Sequence, residues 1–327
     1  MKKVVITQPL HKDGCEILEK DGIEISVSNT GEPAEYLPYL DGAEGLIIRI
    51  GHIDRATMEK CPDLKVIGRP GVGVDNVDVK AATELGIPVV IAPGANSRSV
   101  AEAAFSMMFA AAKDLVRADK ETRKGNFKVR SEYKAYEING KTLGLIGYGH
   151  IGSILAHMSA AVGMNVIVYD PFVKPEAVEK EGFKYTNDTA EIYKNADVIS
   201  LHVPLTDSTR NLIGEKELAS MKKSAILINC ARGGIINEKA LYDALKNNVI
   251  QAACLDVFEK EPVPADDPLL SLDNVIAYPH MAGQTKEAAS NVATGAARGV
   301  AAILRGEKWP AVCNPEVYKH PRFKDFK

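Results

Sequence analysis

The 327-residue sequence lacks the features that mark several large classes of protein. It has only five cysteines, which are widely spaced and include no CxxC pair: Cys15, Cys61, Cys230, Cys254 and Cys313. That spacing argues against a disulfide framework and against a zinc site. The net charge of −3 gives no electrostatic reason to bind nucleic acid or an anionic membrane. We therefore expect a reduced, cytoplasmic protein without a metal site.

Long hydrophobic runs are also missing. The N-terminus passes from two lysines directly into a short strand-like stretch, without the longer apolar core of a signal peptide. The most apolar window, residues 100–112, includes Glu102 and is shorter than the roughly 20 residues that a membrane span requires. The composition, with 46% apolar and 25% charged residues, is that of a soluble globular protein. Because no apolar run is long enough, we expect no membrane partner. Because the chain is longer than one hydrophobic core usually supports, we expect two domains.

The most informative stretch runs over residues 141–170, KTLGLIGYGHIGSILAHMSAAVGMNVIVYD. Its pattern predicts a buried strand that ends at glycine, then a helix, then a second strand that ends at an acidic residue. Gly147 permits a tight turn, Gly149 lets the backbone approach a pyrophosphate, and Gly152 lets the helix pack close to the strand. Asp170, eighteen residues after Gly152, can accept hydrogen bonds from a ribose diol. This order of elements predicts a dinucleotide-binding unit whose helix N-terminus holds phosphate.

The residues around Asp170 favour NAD over NADP. The Asp170 carboxylate would repel a 2′-phosphate, and Pro171 and Phe172 follow it in place of the basic residues that accommodate that phosphate. We therefore predict NAD as the cofactor.

Short apolar runs alternate with helical patterns along the whole chain. Before the glycine motif, strands are predicted at Val4–Ile6, Ile23–Val27, Leu46–Ile48, Val66–Ile67 and Val89–Ile91. After it, further strands are predicted at Val198–Leu201, Ala225–Asn229, Ala252–Leu255 and Val275–Tyr278. Because β-α alternation favours parallel sheets covered by helices, we predict an α/β fold with two doubly wound, Rossmann-like domains.

The helical segments that flank the second group of strands suggest the positions of the domain boundaries in the chain. An alanine-rich helix over residues 286–304 lies so far from the second sheet that we expect it to cross back to the first domain. The long helical pattern from Ser99 to Lys124, rich in alanine and methionine, is interpreted as core or dimer packing. We predict a substrate-binding domain over 1–98 and 288–327, and an NAD-binding domain over 99–287. The basic, proline-broken tail YKHPRFKDFK is expected to be solvated.

Several motifs beyond the glycines carry a resemblance to a known family. They are IGRPGVGVDNVD at 67–78, NGKTLGLIG at 139–147, NCARGG at 229–234, LDVFEKEP at 255–262 and PHMAG at 279–283. On these motifs, which span nearly the whole chain, the sequence resembles the D-isomer-specific 2-hydroxyacid dehydrogenases, and most of all their phosphoglycerate dehydrogenase branch in its short form. The resemblance implies a flavodoxin-like substrate domain, an NAD-binding domain, a cleft between the two, and a homodimer. Because nothing of domain size follows Leu304, we expect the C-terminal regulatory domain of the longer members to be absent.

The chemistry that such an enzyme needs agrees with three polar residues at predicted strand ends. Reducing a 2-oxo acid requires a hydride donor, a cation for the carboxylate, and an acid for the carbonyl oxygen. The planar guanidinium of Arg232 suits a carboxylate. His280 can transfer a proton near neutral pH, and Glu261 would orient its ring and stabilise the imidazolium. We therefore predict Arg232, Glu261 and His280 as the catalytic residues.

The resemblance also implies a wider set of cofactor-binding residues. They are Gly147, Gly149, His150, Ile151, Gly152, Asp170, Val203, Pro204, Cys230, Ala231, Arg232, Asp256, His280 and Gly283. Asp256 would accept a hydrogen bond from the nicotinamide amide. His150 stands where the family usually carries arginine beside the pyrophosphate, which weakens the charge complementarity there. His202, at the end of its strand, is interpreted as a hydrogen-bonded structural histidine.

The substrate is less well defined by the sequence. The resemblance places substrate contacts at six residues: Arg49, Gly51, Arg69, Val72, Gly73 and Arg232. Arg49 and Arg69 could clamp a distal phosphate, as phosphoglycerate requires, or either could form a structural ion pair. The phosphoglycerate branch carries small polar residues after Arg49, whereas this chain has Ile50, Gly51 and His52. Hydroxypyruvate, glyoxylate or another short 2-oxo acid is therefore the alternative substrate.

The predicted function is NAD-dependent interconversion of a D-2-hydroxy acid and its 2-oxo acid, with D-3-phosphoglycerate and 3-phosphohydroxypyruvate as the first choice. Relatives that oxidise formate pair the histidine with glutamine, so Glu261 argues against that branch. A non-enzymatic, NAD(H)-sensing protein of the corepressor kind is the alternative from another class, since such proteins keep much of the same site.

Overall fold

The computed structural model describes residues 2–132 and 134–326, and it divides the chain into two units. The first unit is discontinuous and consists of Met1–Asn96 together with Gln284–Lys327. The second unit is continuous and consists of Ser97–Gly283. Each unit contains one parallel sheet with an apolar core on both of its faces. The predicted α/β fold with two doubly wound sheets is thus confirmed.

The sheet of the first unit has five parallel strands. They are β1 (Lys3–Ile6), β2 (Glu24–Val27), β3 (Gly45–Ile47), β4 (Val66–Gly68) and β5 (Val89–Val90). Their spatial order is β2-β1-β3-β4-β5, which is the flavodoxin-like order. The residues of β3, β4 and β5 are buried throughout, which explains their short apolar runs, whereas the edge strand β2 is partly exposed.

The sheet of the second unit has seven parallel strands. They are β6 (Thr142–Ile146), β7 (Asn165–Tyr169), β8 (Lys184–Tyr185), β9 (Val198–Leu201), β10 (Ile226–Asn229), β11 (Ala252–Leu255) and β12 (Val275–Ala277). Their order is β12-β11-β10-β9-β6-β7-β8, so the direction of winding reverses between β6 and β9. In open α/β sheets ligands bind at such a switch point, beyond the carboxyl ends of the strands. The sequence reasoning missed β8, whose two residues carry no apolar run.

The α-helices alternate with these strands in chain order. They are α1 (Lys12–Lys20), α2 (Pro33–Tyr36), α3 (Arg55–Glu59), α4 (Val79–Glu84), α5 (Ser97–Ala112), α6 (Leu115–Arg123), α7 (His150–Ala161), α8 (Pro175–Lys180), α9 (Thr189–Asn195), α10 (Glu215–Ser220), α11 (Glu238–Lys246) and α12 (Lys286–Arg305). Short 3₁₀ helices cover Leu37–Leu40, Phe127–Ser131, Pro268–Ser271, Pro315–Lys319 and Pro321–Phe323. Within residues 2–132 and 134–326, none of the helices is both long enough and apolar enough to span a bilayer.

The expected single helix over Ser99–Lys124 is in fact two helices. Asp114, between α5 and α6, has a left-handed backbone with φ of 52°. Its carboxylate accepts a hydrogen bond from Nε of Arg117 at 2.8 Å, so a local contact compensates for the interrupted helix. The apolar spacing continues through the break, and spacing alone therefore did not reveal it. Met107 and Met108 of α5 are buried in the second unit, which confirms their interpretation as core residues.

Helix α12 belongs to the first unit and packs on its sheet. A Cβ atom on Gly68 of β4 would lie 2.7 Å from Cγ2 of Val300, so the helix approaches the strand where a side chain is absent. Val300 is fully buried, with the apolar residues of β1, β3 and β4 around it. The alanines of α12 are thus explained by close helix-to-sheet packing.

The C-terminal tail is partly packed, so the prediction that it is solvated was wrong for its aromatic residues, although Lys319, Pro321, Lys324 and Asp325 are exposed. Phe323 is 2% exposed, and its ring contacts those of Tyr318 and Phe326 at centroid distances of 5.3 and 4.8 Å. The Nη1 of Arg322 donates to the carbonyl of Gly86 at 2.8 Å. The basic composition concealed the apolar contribution of three aromatic rings in a short segment.

Candidate active site

The glycine motif lies at the switch point, in the turn from β6 to α7. Gly147 has φ of 101°, and a Cβ atom there would lie 2.4 Å from the carbonyl oxygen of His202. A Cβ atom on Gly152 would lie 2.3 Å from the carbonyl oxygen of Gly147. Both glycines are therefore required by the backbone. Gly149 differs, since no described atom lies within 4 Å of its Cβ position, and as the N-cap of α7 it forms no side-chain cap. The first amide groups of α7 thus fit a diphosphate.

Asp170 follows β7 and has the geometry that a ribose diol requires. The carboxylate is only 9% exposed. Its Oδ2 accepts a hydrogen bond from the backbone N–H of Tyr148, and its Oδ1 accepts one from that of Phe172, both at 2.8 Å. Each oxygen keeps a free lone pair, because a carboxylate oxygen can accept about two hydrogen bonds. Phe172 itself is 94% exposed, so an adenosine could reach this corner.

His280 and Glu261 form a hydrogen-bonded pair beyond the ends of β11 and β12. The Nδ1 atom of His280 lies 2.7 Å from Oε2 of Glu261. The other carboxylate oxygen of Glu261 accepts the backbone N–H of Phe258 at 3.0 Å, so the carboxylate is held from both sides. The side chain of His280 is 51% exposed, and no described residue forms a hydrogen bond to its Nε2. This nitrogen is therefore the one available to a ligand.

Arg232 lies in a turn that directly follows β10. The buried side chain of Asn229 shapes the turn, since its Nδ2 donates to the carbonyl of Arg232 at 2.8 Å and its Oδ1 accepts the N–H of Ala231 at 3.0 Å. A Cβ atom on Gly233 would lie 1.9 Å from the carbonyl oxygen of Phe258. The Arg232 turn therefore packs directly against the segment that leads to Glu261. The role of Asn229 was not predicted, although its place before the ARGG motif could have suggested it.

The comparison with protein families gives the second unit an identity. A family model described as the NAD binding domain of the D-isomer specific 2-hydroxyacid dehydrogenases matches residues 105–282, more than half of the chain. The chain belongs to the D-isomer-specific 2-hydroxyacid dehydrogenase family. The resemblance noted in the sequence is thereby confirmed, and the second unit contains the NAD-binding domain of this family.

Individual members of the family are similar over most of the chain. The D-3-phosphoglycerate dehydrogenase of Methanocaldococcus jannaschii is 48% identical over 96% of this chain, which spans 60% of that relative's length. The glyoxylate reductase of Korarchaeum cryptofilum is 42% identical over 82% of this chain and 81% of its own length. The solved structure of D-lactate dehydrogenase with NAD+ from Lactobacillus jensenii has a TM-score of 0.80 and 32% identity, covering 95% of this chain and 99% of the other.

Asp256, expected to contact nicotinamide, accepts hydrogen bonds from the backbone of the histidine turn. It follows β11 and is 2% exposed. Its Oδ1 accepts the N–H of Met281 at 2.7 Å, and both of its oxygens lie within 3.2 Å of the N–H of Ala282. Burial raises the pKa of Asp256 to about 6, against the effect of these backbone hydrogen bonds and of nearby His280. The carboxylate thus holds the turn in which His280 adopts φ of 54°.

The other expected NAD contacts also lie in the second unit, mostly beyond strand ends. His150 and Ile151 begin α7, Val203 and Pro204 follow β9, and Gly283 is the last residue of the unit. Cys230 and Ala231 follow β10. The Cys230 thiol faces the core, 3.9 Å from Sδ of Met107, and burial raises its pKa. Any contact that Cys230 makes with a cofactor would therefore use its backbone.

His202 lies directly beneath the glycine motif and is only partly satisfied. Its Nε2 is 2.9 Å from Oγ of Ser200, whereas its buried Nδ1 has no hydrogen-bond partner among the described residues. Burial lowers the pKa of His202 to about 4, so the ring is neutral at physiological pH. His202 was interpreted as a hydrogen-bonded structural histidine, and that description fits its Nε2 but not its Nδ1.

The residues expected to bind substrate lie in the first unit, on two loops. Arg49 and Gly51 follow β3, whereas Arg69, Val72 and Gly73 follow β4. The position of Gly51 is fixed by its φ of 98°, and a Cβ atom there would lie 2.0 Å from the carbonyl oxygen of Gly31. Among the described residues, Arg49 forms no ion pair, and its one hydrogen bond is a long contact of 3.5 Å from Nη1 to the carbonyl of Pro9.

Two side chains that the sequence did not single out hold these loops. Gln8 accepts the N–H of Ile50 at 3.0 Å and donates to the carbonyl of Ile50 at 3.2 Å. The Oδ1 of Asn76 accepts a hydrogen bond from Nε of Arg69 at 3.0 Å, and its Nδ2 donates one to the carbonyl of Gly51 at 2.7 Å. Asn76 therefore links the two loops and fixes the direction of the Arg69 guanidinium. The DNVD motif around Asn76 was the available signal, but a spacing pattern does not reveal such a contact.

Proposed function

We propose that this chain catalyses the NAD-dependent interconversion of a D-2-hydroxy acid and its 2-oxo acid. The observation that carries the proposal is the 2.7 Å hydrogen bond between His280 and Glu261. The pair lies beyond the carboxyl ends of β12 and β11, in the same parallel sheet whose strands β10 and β6 lead to Arg232 and the glycine motif. A proton donor, a cation and a dinucleotide site are the three requirements of this reaction. The family to which the chain belongs supports the same conclusion.

The roles of the three polar residues follow from their chemistry. NAD(H) supplies or accepts the hydride. Arg232 binds the carboxylate of the substrate through two parallel N–H donors. In the reductive direction, Nε2 of His280 donates a proton to the oxygen on C2 as negative charge develops there. Glu261 accepts the Nδ1–H of His280, which orients the ring and stabilises its protonated form. Oxidation of the hydroxy acid reverses these proton movements.

We assign the cofactor roles to the strand ends of the second unit. Gly147, Gly149 and Gly152 bring the N-terminus of α7, with His150 and Ile151, to the diphosphate. Asp170 accepts hydrogen bonds from the hydroxyl groups of the adenosine ribose, and its charge favours NAD over NADP. Val203, Pro204, Ala231 and Gly283, with the backbone of Cys230, complete the surroundings of the cofactor. Asp256 would accept a hydrogen bond from the nicotinamide amide.

For the substrate, we propose D-3-phosphoglycerate and 3-phosphohydroxypyruvate. Arg49 forms no ion pair within residues 2–132 and 134–326, so its charge is available for a phosphate. Arg69 is aimed by Asn76, and an aimed guanidinium suits phosphate. We also assign the backbone at Gly51, Val72 and Gly73 to substrate binding. The D-3-phosphoglycerate dehydrogenase of Methanocaldococcus jannaschii, at 48% identity, supports this choice.

A smaller substrate is the second candidate. Ile50 is 67% exposed and Val72 is 52% exposed, so each of the two loops presents an apolar side chain beside its arginine. Such surroundings favour an unphosphorylated acid such as hydroxypyruvate or glyoxylate. The glyoxylate reductase of Korarchaeum cryptofilum is the relative that supports this candidate.

A panel of 2-oxo acids separates the two candidates. We expect NADH oxidation by the purified chain to show a specificity constant for 3-phosphohydroxypyruvate about 100-fold above that for glyoxylate, because two charge-assisted contacts to phosphate contribute about 3 kcal/mol. Arg49→Ala should remove most of this preference. Arg55→Ala is the matched control, since Arg55 pairs with Glu84 on the surface of the same unit.

Three outcomes of the panel would change the assignment. Equal or better turnover of hydroxypyruvate or glyoxylate would favour the second candidate. An Arg49→Ala variant that keeps the phosphate preference would show that Arg49 is not the phosphate ligand. A chain that binds NADH but reduces none of the acids would be a cofactor-sensing protein of the corepressor kind.

The raised pKa of Asp256 predicts a loss of activity in mild acid. The pKa of Asp256 is raised from its usual 3.8 to about 6, so the carboxylate takes up a proton as the pH falls through about 6. Protonation weakens the hydrogen bonds that the carboxylate accepts from the N–H groups of Met281 and Ala282. The measurement is kcat against pH with glyoxylate, which has no phosphate that titrates near pH 6.

The effect of Asp256 on folding stability has the opposite pH dependence, which distinguishes the loss of kcat in acid from unfolding. Folding disfavours the charged form of Asp256, so this group stabilises the fold below about pH 4 and ceases to do so as the pH rises through about 6. Activity should therefore fall in acid without a loss of stability from this group. His280, Glu261 and Cys230 are the titratable neighbours. The acid limb should persist in Glu261→Gln and in the surface control Asp243→Asn, but not in Asp256→Asn.

We also propose that the chain forms a homodimer through α6 and the turn that follows it. All residues of α6 lack full burial, and Leu115, Val116 and Phe127 are 59%, 53% and 69% exposed. Three large apolar side chains close in sequence indicate a protein contact. We expect light scattering to give twice the chain mass for the wild type, and a Phe127→Asp/Leu115→Asp variant to be monomeric. A Val249→Asp variant, which changes a 37% exposed valine elsewhere, should remain dimeric.

A reducing, cytoplasmic location is the remaining part of the proposal. It is supported by the five cysteines, all of which are free thiols, and by the burial of Cys61, Cys230 and Cys254.

A further inference from the structure

Tyr148 occupies the position between the first two glycines of the motif, and it is the feature of the NAD-binding domain that the proposed roles leave unexplained. Its side chain points away from solvent and is 7% exposed. The phenol oxygen donates a hydrogen bond to Oε2 of Glu181. Nε2 of His157 lies 3.0 Å from the same carboxylate oxygen. We refer to Tyr148, Glu181 and His157 as the tyrosine cluster.

The tyrosine cluster joins three separate parts of the domain. Tyr148 belongs to the glycine turn, His157 to α7, and Glu181 to the C-terminal cap of α8. Phe183 packs between them, with its ring 6.3 Å from that of Tyr148 and 5.1 Å from that of His157, both edge to face. The segment that contains Asp170 connects β7 to α8, and the C-terminal cap of α8 is Glu181 of the cluster.

Tyr148 forms hydrogen bonds through both its backbone and its side chain. Its backbone N–H donates to Oδ2 of Asp170 at 2.8 Å, while its side chain is anchored by Glu181. Burial, followed by the hydrogen bond to Glu181, raises the pKa of the Tyr148 phenol, so the hydroxyl group remains a donor at physiological pH. The direction of the N–H that Asp170 receives therefore depends on where the phenol is held.

The neighbouring glycines make this anchor necessary. Gly147 and Gly149 flank Tyr148, and glycine restricts backbone rotation less than any other residue. Tyr148 thus supplies the one side chain by which the central part of the turn can be fixed. A binding site that is rigid before the ligand arrives pays less conformational entropy on binding.

We propose that the tyrosine cluster is a positioning device that sets the affinity for the adenosine ribose of NAD(H) and the discrimination against NADP(H). None of its three side chains needs to touch the cofactor. Tyr148 acts through the glycine turn and through the carboxylate of Asp170, Glu181 fixes Tyr148, and His157 fixes Glu181. The inference rests on the NAD-binding part of the proposed function and not on the identity of the 2-oxo acid.

The two hydrogen bonds of the cluster differ in importance. The His157 and Glu181 side chains are 59% and 41% exposed, and a contact between two half-exposed polar side chains contributes little. The hydroxyl of Tyr148 is the more buried partner and directly continues the glycine turn. We therefore expect Tyr148 to have the largest effect and His157 the smallest.

The test removes one oxygen atom. Tyr148→Phe keeps the ring in the core but cannot donate to Glu181. We expect the dissociation constant for NADH, measured by fluorescence titration without substrate, to rise about 5- to 20-fold, as for the loss of a hydrogen bond to a charged group. The ratio of the dissociation constants for NADPH and NADH should fall by about threefold or more, because Asp170 is less firmly placed. With substrate, KM for NADH should rise while kcat stays near the wild-type value.

Two further variants distinguish positioning from a simple packing effect. Glu181→Gln keeps an acceptor for the phenol and should recover most of the affinity, whereas Glu181→Ala should match Tyr148→Phe and add little to it in the double variant. Tyr242→Phe, on α11 of the same unit, is the matched control and should leave both dissociation constants unchanged. A purely structural role would lower the melting temperature of Tyr148→Phe without changing the NADPH to NADH ratio.

The outcomes are separable from those of the substrate panel. A wild-type chain that binds NADH but reduces none of the acids would contradict the proposed reaction, and the tyrosine cluster could still be measured by titration. Unchanged NADH affinity and unchanged NADPH discrimination in Tyr148→Phe would overturn the inference. Failure of the wild-type chain to bind NADH would also overturn it.

Discussion

Replacing His280 by alanine is expected to lower kcat by about 10²- to 10⁴-fold, the usual contribution of a positioned general acid. The imidazole is the one group of the hydrogen-bonded pair that can give a proton to the substrate oxygen and regain it from water. Because the side chain is half-exposed, its removal leaves no buried cavity, and the fold should be retained. The measurement is steady-state NADH oxidation with the best 2-oxo acid, together with NADH titration, which should change by no more than about twofold.

Two companion variants make the His280 result specific. His11→Ala changes a histidine at the start of α1 in the first unit and should keep wild-type kcat. Glu261→Gln retains a hydrogen-bonding oxygen for the ring but removes the charge that stabilises imidazolium, so it should lower kcat less than His280→Ala does. Because the two side chains act together, the double variant should be no worse than His280→Ala alone. A kcat near the wild-type value in His280→Ala would remove this residue from the mechanism.

Replacing Arg232 by alanine is expected to lower kcat/KM for every 2-oxo acid by about 10²- to 10³-fold. The two parallel N–H donors of a guanidinium bind a carboxylate and fix the direction of the reacting carbon, and each charge-assisted hydrogen bond contributes about 1.5–3 kcal/mol. Both substrate binding and the chemical step should suffer, since orientation is lost together with affinity. The measurement is kcat and KM with glyoxylate and with 3-phosphohydroxypyruvate.

The lysine variant identifies what Arg232 contributes. Arg232→Lys keeps the positive charge but loses the planar fork, so it should recover affinity more than turnover. Arg210→Ala, at an exposed position of the same unit, serves as the control and should keep wild-type kinetics. If Arg232→Ala lowered kcat/KM by less than about fivefold, a cation other than Arg232 would have to bind the carboxylate.

The residues of the candidate site were predictable where strand ends coincide with recognisable motifs. The carboxyl ends of parallel strands meet at one edge, so a polar residue that follows a buried apolar run is placed near others of its kind. Arg232, Asp256 and His280 follow β10, β11 and β12 in this way, and the pairing of Glu261 with His280 was expected from the chemistry. The glycine spacing likewise predicted a turn whose shape depends on Gly147 and Gly152.

The contacts that hold the site were not predictable, because they join residues that are distant in sequence without any periodic pattern. Gln8 holds Ile50 across 42 positions, and Asp256 holds Met281 across 25. Tyr148 reads as the variable residue of a glycine motif, and only the structure shows its phenol at Glu181. The break at Asp114 escaped notice because the apolar spacing continues through it, and the buried Phe323 because the composition of the tail is basic.

The discontinuous first unit has a consequence for how the chain is made. The sheet of that unit is complete once Val90 has been synthesised, but α12, which covers one of its faces, follows only after the 187 residues of Ser97–Gly283. At 5–20 residues per second, the ribosome needs roughly 10 to 40 s for that interval. During this time the apolar face formed by Val4, Val66 and Val90 lacks the helix that buries it. We expect the nascent chain to need a chaperone there, while the continuous second unit can fold as it emerges.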